Sequence, residues 1–239
     1  MIANVHSVET FSSLDGPGIR YVLFLQGCNM ACKYCHNVDT TIKTTNKQMS
    51  VDEVVNDYLK YKEFYKKGGI TISGGEPLLQ TEFIVELFKK LKQYGVHTAI
   101  QTQGSTYRDI DMYDKLLELT DLFIIDLKGV SNLEAFRITG VKIDNTFKLL
   151  AKLDKQNKEF WITYVLLPEI NDSKEIAQKM SKILKEYKSE NYDFKVLPYH
   201  KLGIDKWEKL GKPYEFHNVR EATKNDVQLF LEEVRKYKE

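Results

Sequence analysis

Residues 21–37 read Tyr21-Val22-Leu23-Phe24-Leu25-Gln26-Gly27-Cys28-Asn29-Met30-Ala31-Cys32-Lys33-Tyr34-Cys35-His36-Asn37. The first five residues are aromatic, β-branched or leucine, which predicts a buried strand over 21–25. Three thiols follow at once, spaced C-x3-C-x2-C. The chain has 3 cysteines and all of them stand here, an odd and crowded set that makes a poor disulfide framework and a good metal site. Thiolates on one short loop suit zinc, cuprous copper or an iron–sulfur cluster. Most [4Fe–4S] clusters use four cysteines. With three, one iron has no protein thiolate and stays open to an outside ligand, as catalytic metal sites keep one position free. On spacing alone a structural Cys3His zinc site, completed by His36 or His6, remains an alternative.

Outward from this loop the same order recurs: a short apolar run, a turn, then an amphipathic helix. Strands are predicted over 70–73, 97–102, 122–127, 160–167 and 194–197. Between them, Ser50-Val51-Asp52-Glu53 is a capping box for a helix with Val51, Val54, Val55 and Tyr58 on one face. Ile84, Leu87, Phe88 and Leu91 form the next stripe, with Gly95 as its stop. Tyr113, Leu116 and Leu117 mark a third helix, and residues 145–155 a fourth. Asp172 with Glu175 caps a fifth, bearing Ile176, Met180, Ile183 and Leu184. Val227, Phe230, Leu231 and Val234 form the last. Alternating strands and helices imply parallel βαβ units. About six units predict an α/β fold, a partial (β/α)6 barrel of TIM type in a single domain over 1–239, with its site in the loops after the strands.

Of 239 residues, 42% are apolar and 29% charged, and 35 Lys and Arg against 34 Asp and Glu leave a net charge of +1. This is a globular composition with no broad basic field for nucleic acid or a membrane surface. No apolar run approaches the ~20 residues of a membrane span. The first residues, Met1-Ile2-Ala3-Asn4-Val5-His6, lack the basic flank and apolar core of a secretion signal, so a cytoplasmic location is expected.

Other candidates sit at predicted strand ends. Ser73-Gly74-Gly75-Glu76-Pro77 pairs glycines that allow close backbone approach or positive φ. Asp126-Leu127-Lys128 ends an apolar strand, where an acid and a base must pair or meet a polar ligand. His200 follows the 194–197 strand. Asp15-Gly16-Pro17-Gly18 is a turn by composition. Lys89-Lys90-Leu91-Lys92 is the wet face of a helix.

The cysteine motif with Tyr34 before its last thiol resembles the signature of the radical S-adenosylmethionine (SAM) superfamily. His6-Ser7-Val8-Glu9, Asp15 to Arg20, Tyr34-Cys35-His36-Asn37 and Leu197-Pro198-Tyr199-His200 with Gly203, Lys206 and Trp207 are similar to the glycyl-radical-enzyme activases, those acting on pyruvate formate-lyase above all. The resemblance spans nearly the whole chain. It implies a radical SAM core in which Cys28, Cys32 and Cys35 hold a [4Fe–4S] cluster whose open iron chelates SAM. It places SAM contacts at Tyr34, Cys35, His36, Gly74, Gly75, Glu76, Asp126, Leu127, Lys128 and His200, and a substrate-peptide contact at Asp15. One electron from a flavodoxin-type donor cleaves SAM to methionine and a 5′-deoxyadenosyl radical, which takes hydrogen from a glycine Cα of the partner enzyme. A monomer is expected.

Two positions depart from the resemblance. Gln101 stands where an acid helps hold a monovalent cation, and an amide is a weaker cation ligand. Thr163 stands where arginine is usual, so the SAM carboxylate loses a bidentate partner and Lys128 becomes its candidate counter-charge. Another glycyl-radical enzyme, such as anaerobic ribonucleotide reductase, is the alternative partner. A zinc-stabilised binding module without catalysis is the alternative from outside the enzymes.

Overall fold

We analysed a computed structural model of the protein, in which residues 1–42, 47–188 and 190–237 are described. Among them the strands are β1 (Ile2–Ser12), β2 (Arg20–Leu25), β3 (Lys47–Ser50), β4 (Gly69–Gly74), β5 (Thr98–Thr102), β6 (Leu122–Asp126), β7 (Glu159–Leu166) and β8 (Tyr192–Pro198). They form one sheet in the order β3-β1-β2-β4-β5-β6-β7-β8. From β2 onward every neighbouring pair is parallel. These are the six expected strands, most of them a residue or two from the expected bounds. The sheet stays open, with β3 and β8 at its edges. The expected partial barrel is thus present.

The sheet extends further than expected. β1 runs antiparallel along β2, with Val5 opposite Leu25 and Ser12 opposite Arg20, and β3 runs antiparallel along β1.

The helices are α1 (Val51–Lys60), α2 (Thr81–Lys92), α3 (Asp111–Leu119), α4 (Asn132–Thr139), α5 (Asp144–Lys155), α6 (Lys174–Glu186), α7 (Ile204–Lys209) and α8 (Lys224–Lys236). α1 starts as expected: Ser50 Oγ accepts from Glu53 N–H, and Ser50 N–H donates to the Glu53 carboxylate. α6 does not. Its cap is Ser173, whose hydroxyl accepts from Ile176 N–H, while Asp172 accepts from the Glu169 N–H. Both residues have short oxygen-bearing side chains, so composition could not separate them. Gly95 lies past the end of α2 with φ of 66°, a stop as expected.

Alternation along the strands separates core from site. Leu23, Leu25, Ile70, Ile72, Ile100, Phe123, Ile125, Phe160 and Ile162 join the helix stripes in the main core. Each such side chain contributes ~1.5–3 kcal/mol on burial. On the inner face Ala99, Leu122 and Ile124 make a small separate cluster with Trp161 against it, so β6 is covered on both sides as its apolar run predicts. Above that cluster the inner face turns polar at Ser73, Gln101, Asp126 and Thr163. No helix among the described residues is long and apolar enough to cross a membrane.

Candidate metal and cofactor site

The cysteine loop leaves β2 and is pinned on every side. Gly27 N–H donates to Thr40 O at 2.8 Å, while Ala31 and Lys33 N–H donate to Thr139 O and Ile138 O at 2.9 and 3.0 Å. The last two acceptors are terminal carbonyls of α4, which a helix leaves without internal partners. The loop therefore satisfies two end carbonyls of α4 beyond its left-handed Gly140 cap. From the C-terminal side, Trp207 Nε1 donates to Cys35 O at 2.8 Å, and Lys206 Nζ donates to Asn37 Oδ1 at 2.9 Å and Asp39 Oδ1 at 3.1 Å.

Cys28, Cys32 and Cys35 are free, half-buried thiols. Burial pushes Cys28 up to about 11 and Cys32 up to about 12, and raises Cys35 too; Lys128 pulls all three the other way. The imidazoles that a Cys3His site would need are engaged elsewhere. His6 meets Ser7 Oγ and Asp39 Oδ2, each at 2.8 Å, and His36 Nε2 meets His200 O at 2.8 Å. Three soft thiols whose candidate imidazole partners are hydrogen-bonded elsewhere suit an iron–sulfur cluster better than structural zinc.

The Gly74-Gly75 pair is explained by contact with this loop. Gly74 has φ of 119°, which favours glycine, and a Cβ on Gly75 would lie 2.1 Å from Gly27 O and 3.1 Å from Cys28 Cβ. Gly75 N–H donates to Leu25 O at 3.0 Å and Glu76 N–H to Gly27 O at 2.8 Å. The close approach allowed by these glycines is thus to the chain's own backbone, and it fixes the end of β4 beside Cys28. The Glu76 side chain points into the protein, 1% exposed. Its carboxylate accepts from Thr102 Oγ1 at 2.6 Å, Leu78 N–H at 2.9 Å and Gln103 N–H at 3.1 Å. Burial nevertheless raises it to about 7.

At the end of β6, Lys128 Nζ stands 3.6 Å from Asp126 Oδ2 and 5.8 Å from the centre of the buried Tyr34 ring. The pairing weighed from sequence is therefore present. Burial opposes the Lys128 charge, but Asp126, Tyr34, Cys32 and Cys35 outweigh it and hold the ammonium well above its ordinary range. Leu127 is buried in the core, and its N–H donates to Thr163 O at 2.9 Å. After β8 the rings of His36 and His200 stack with centroids 4.1 Å apart. His200 Nδ1 is buried without a hydrogen-bond partner, an orphan that a polar ligand would satisfy. Gly203 lets the chain pass this pair: a Cβ there would lie 2.6 Å from His36 Cα.

Cys28, Cys32, Cys35, Tyr34, His36, Gly74, Gly75, Asp126, Lys128 and His200 thus gather around one end of the sheet. Asp15 does not join them. It precedes β2, at the opposite end from Cys28, separated by roughly 15–20 Å of strand. There Ser12 donates its hydroxyl to the Asp15 carboxylate, and Asp15 O accepts from Thr71 Oγ1 at 2.6 Å. Sequence reasoning missed Gln103 and Asn29, whose side chains bond each other at 2.8 Å and hold the cysteine loop to the β5 loop. The only signal was polar residues beside Gly104. It also missed α4, which carries two of the loop's anchors.

A model of the radical SAM superfamily matches residues 22–180. The pyruvate formate-lyase-activating enzyme of Staphylococcus epidermidis is 42% identical over 224 residues, covering 90% of this chain and 88% of that protein. That of Staphylococcus aureus (strain USA300) is 39% identical with the same coverage. The solved structure of Streptococcus suis SuiB bound to S-adenosylmethionine matches with a TM-score of 0.64 at 16% identity, over 88% of this chain and 45% of that one, a likeness of fold. The chain belongs to the radical SAM superfamily and, within it, to the family of the pyruvate formate-lyase-activating enzymes.

Proposed function

We propose that the protein is an activase that puts a glycyl radical on pyruvate formate-lyase. Cys28, Cys32 and Cys35 would hold a [4Fe–4S] cluster, and the residues at the ends of β4 to β8 would hold SAM. When bound, cluster and SAM supply the one-electron chemistry that removes hydrogen from a glycine Cα. The chain's own residues position and shield that chemistry. Lys128 neutralises a carboxylate, and the backbone at Gly74-Gly75, fixed beside Cys28, receives an amino group. His36 and His200 would flank the nucleoside, with His200 Nδ1 free to meet it. Tyr34 and the carbonyl of Leu127 close the wall. Glu76 acts from behind, bracing the Gly-Gly turn against Thr102 and Gln103. The apolar inner cluster keeps water from the reacting centre. Asp15, at the other mouth, would meet a substrate segment only if that segment ran the depth of the barrel.

The observation that carries this reading is the backbone lock between Gly27 and Glu76, which sets three thiols against a glycine pair and a buried ammonium. An electron donor of flavodoxin type, a monomeric state and a cytoplasmic setting complete the proposal; free thiols suit a reducing compartment. Anaerobically reconstituted protein should carry iron and sulfide and cleave SAM when reduced. Cys28→Ala, Cys32→Ala and Cys35→Ala should each abolish cleavage, whereas full cleavage in all three would remove the cluster from the mechanism.

A further inference from the structure

The Asp126 carboxylate is the meeting point of four strand ends. Ser73, at the end of β4, donates its hydroxyl to Gln101 Oε1 on β5 at 3.1 Å, and Gln101 Nε2 straddles Asp126 at 3.4 Å from each oxygen. From the other side Thr163 on β7 donates to Asp126 Oδ1 at 2.5 Å, and Lys128 Nζ stands 3.6 Å from Oδ2. The amide orientation follows from these neighbours, since reversing it would set Oε1 against a carboxylate. The side chains in polar contact with Asp126, those of Gln101, Thr163 and Lys128, are therefore donors, and Lys128 carries a full charge. A metal cation needs the reverse, several oxygen lone pairs turned toward one centre.

The two departures from the family pattern flank this same carboxylate. An acid at position 101 would crowd a second negative charge against Asp126, and such a pair calls for a cation between its members. The amide removes that need and bridges instead. Thr163 in place of arginine removes one positive charge while Gln101 removes one negative, so the two changes cancel among the side chains, and it is the donor geometry around Asp126 that disfavours the ion. The alkali ion implied by the family does not fit these residues.

We propose that this protein binds SAM without an alkali-metal ion, because Gln101, Thr163 and Lys128 together do for Asp126 what the ion would do. The inference rests on the reading that SAM occupies the strand ends.

The test measures SAM affinity of the cluster-loaded protein under anaerobic conditions, in potassium chloride and in tetramethylammonium chloride of equal ionic strength. Wild-type affinity should change by less than about threefold between the salts, and Gln101→Asp should lose at least about tenfold when potassium is withdrawn. Wild-type affinity that weakens by about threefold or more without potassium overturns the inference alone. So does a folded, SAM-binding Gln101→Asp variant that is indifferent to the salt. Absence of SAM binding in either salt, with iron and sulfide present, overturns the proposed function and this inference with it.

Discussion

The indole N–H of Trp207 donates to the carbonyl of Cys35 at 2.8 Å, tying α7 to the last thiol of the cysteine loop. Residues 172 positions apart are joined, so the C-terminal segment takes part in building the metal site. Trp207→Phe keeps most of the ring and deletes the donor, leaving a carbonyl unsatisfied at a cost of about 1–3 kcal/mol. For a chain of this size the melting temperature should fall by roughly 2–4 °C per kcal/mol. Iron should also leave the reconstituted variant faster than the wild type, read as iron retained against a chelator. Equal retention would show that the indole does not secure the loop.

Gly75→Ala should disrupt the site while the capping glycine remains a mild control. The added Cβ would lie 2.1 Å from Gly27 O, and neither side of that contact is a flexible side chain. Crowding of this kind costs typically 1–3 kcal/mol, and here it falls on the cysteine loop. SAM affinity should drop at least about tenfold. Gly95→Ala, with no atom within 4 Å of its Cβ, should bind SAM as the wild type does. Matching affinities in both variants would refute the close-approach explanation of the glycine pair.

Glu76 gives a pH signature. Its carboxyl is raised from the ordinary 4.5 to about 7, chiefly by burial. A raised acid takes up a proton on folding, so its stabilisation is complete below pH 4.5 and is lost as pH rises through about 7. The slope is at most about 1.4 kcal/mol per pH unit for one group. Denaturant unfolding between pH 4.5 and 7.5 should show wild-type stability falling relative to Glu76→Gln across this window. Parallel curves would mean that the Thr102, Leu78 and Gln103 donors keep Glu76 ionised throughout.

The parallel half of the sheet was legible because its strands are dense in β-branched and aromatic residues and its helices carry full stripes, as Val51, Val54, Val55 and Tyr58 do. β1 was not, because its buried apolar positions stop at Ala3 and Val5, and the polar His6 and Ser7 that follow break the alternation. α4 buries only Ala135, Ile138 and Thr139, too short a stripe to stand out. At the site, strand-end positions of the cysteines, Gly74, Asp126 and His200 could be read from local pattern. The inward turn of Glu76 could not, since its three donors come from Leu78 and from the β5 end. The bridge through Asp126 depends on the register of four strands, and register is set by packing across the whole sheet.

The most direct test mixes the anaerobically reconstituted protein with reductant, SAM and pyruvate formate-lyase, and reads the mixture by electron paramagnetic resonance. A glycine-centred signal should form on pyruvate formate-lyase and be missing when anaerobic ribonucleotide reductase takes its place. A signal on the reductase alone, or SAM cleavage with no glycine-centred signal on pyruvate formate-lyase, would contradict the proposed activity.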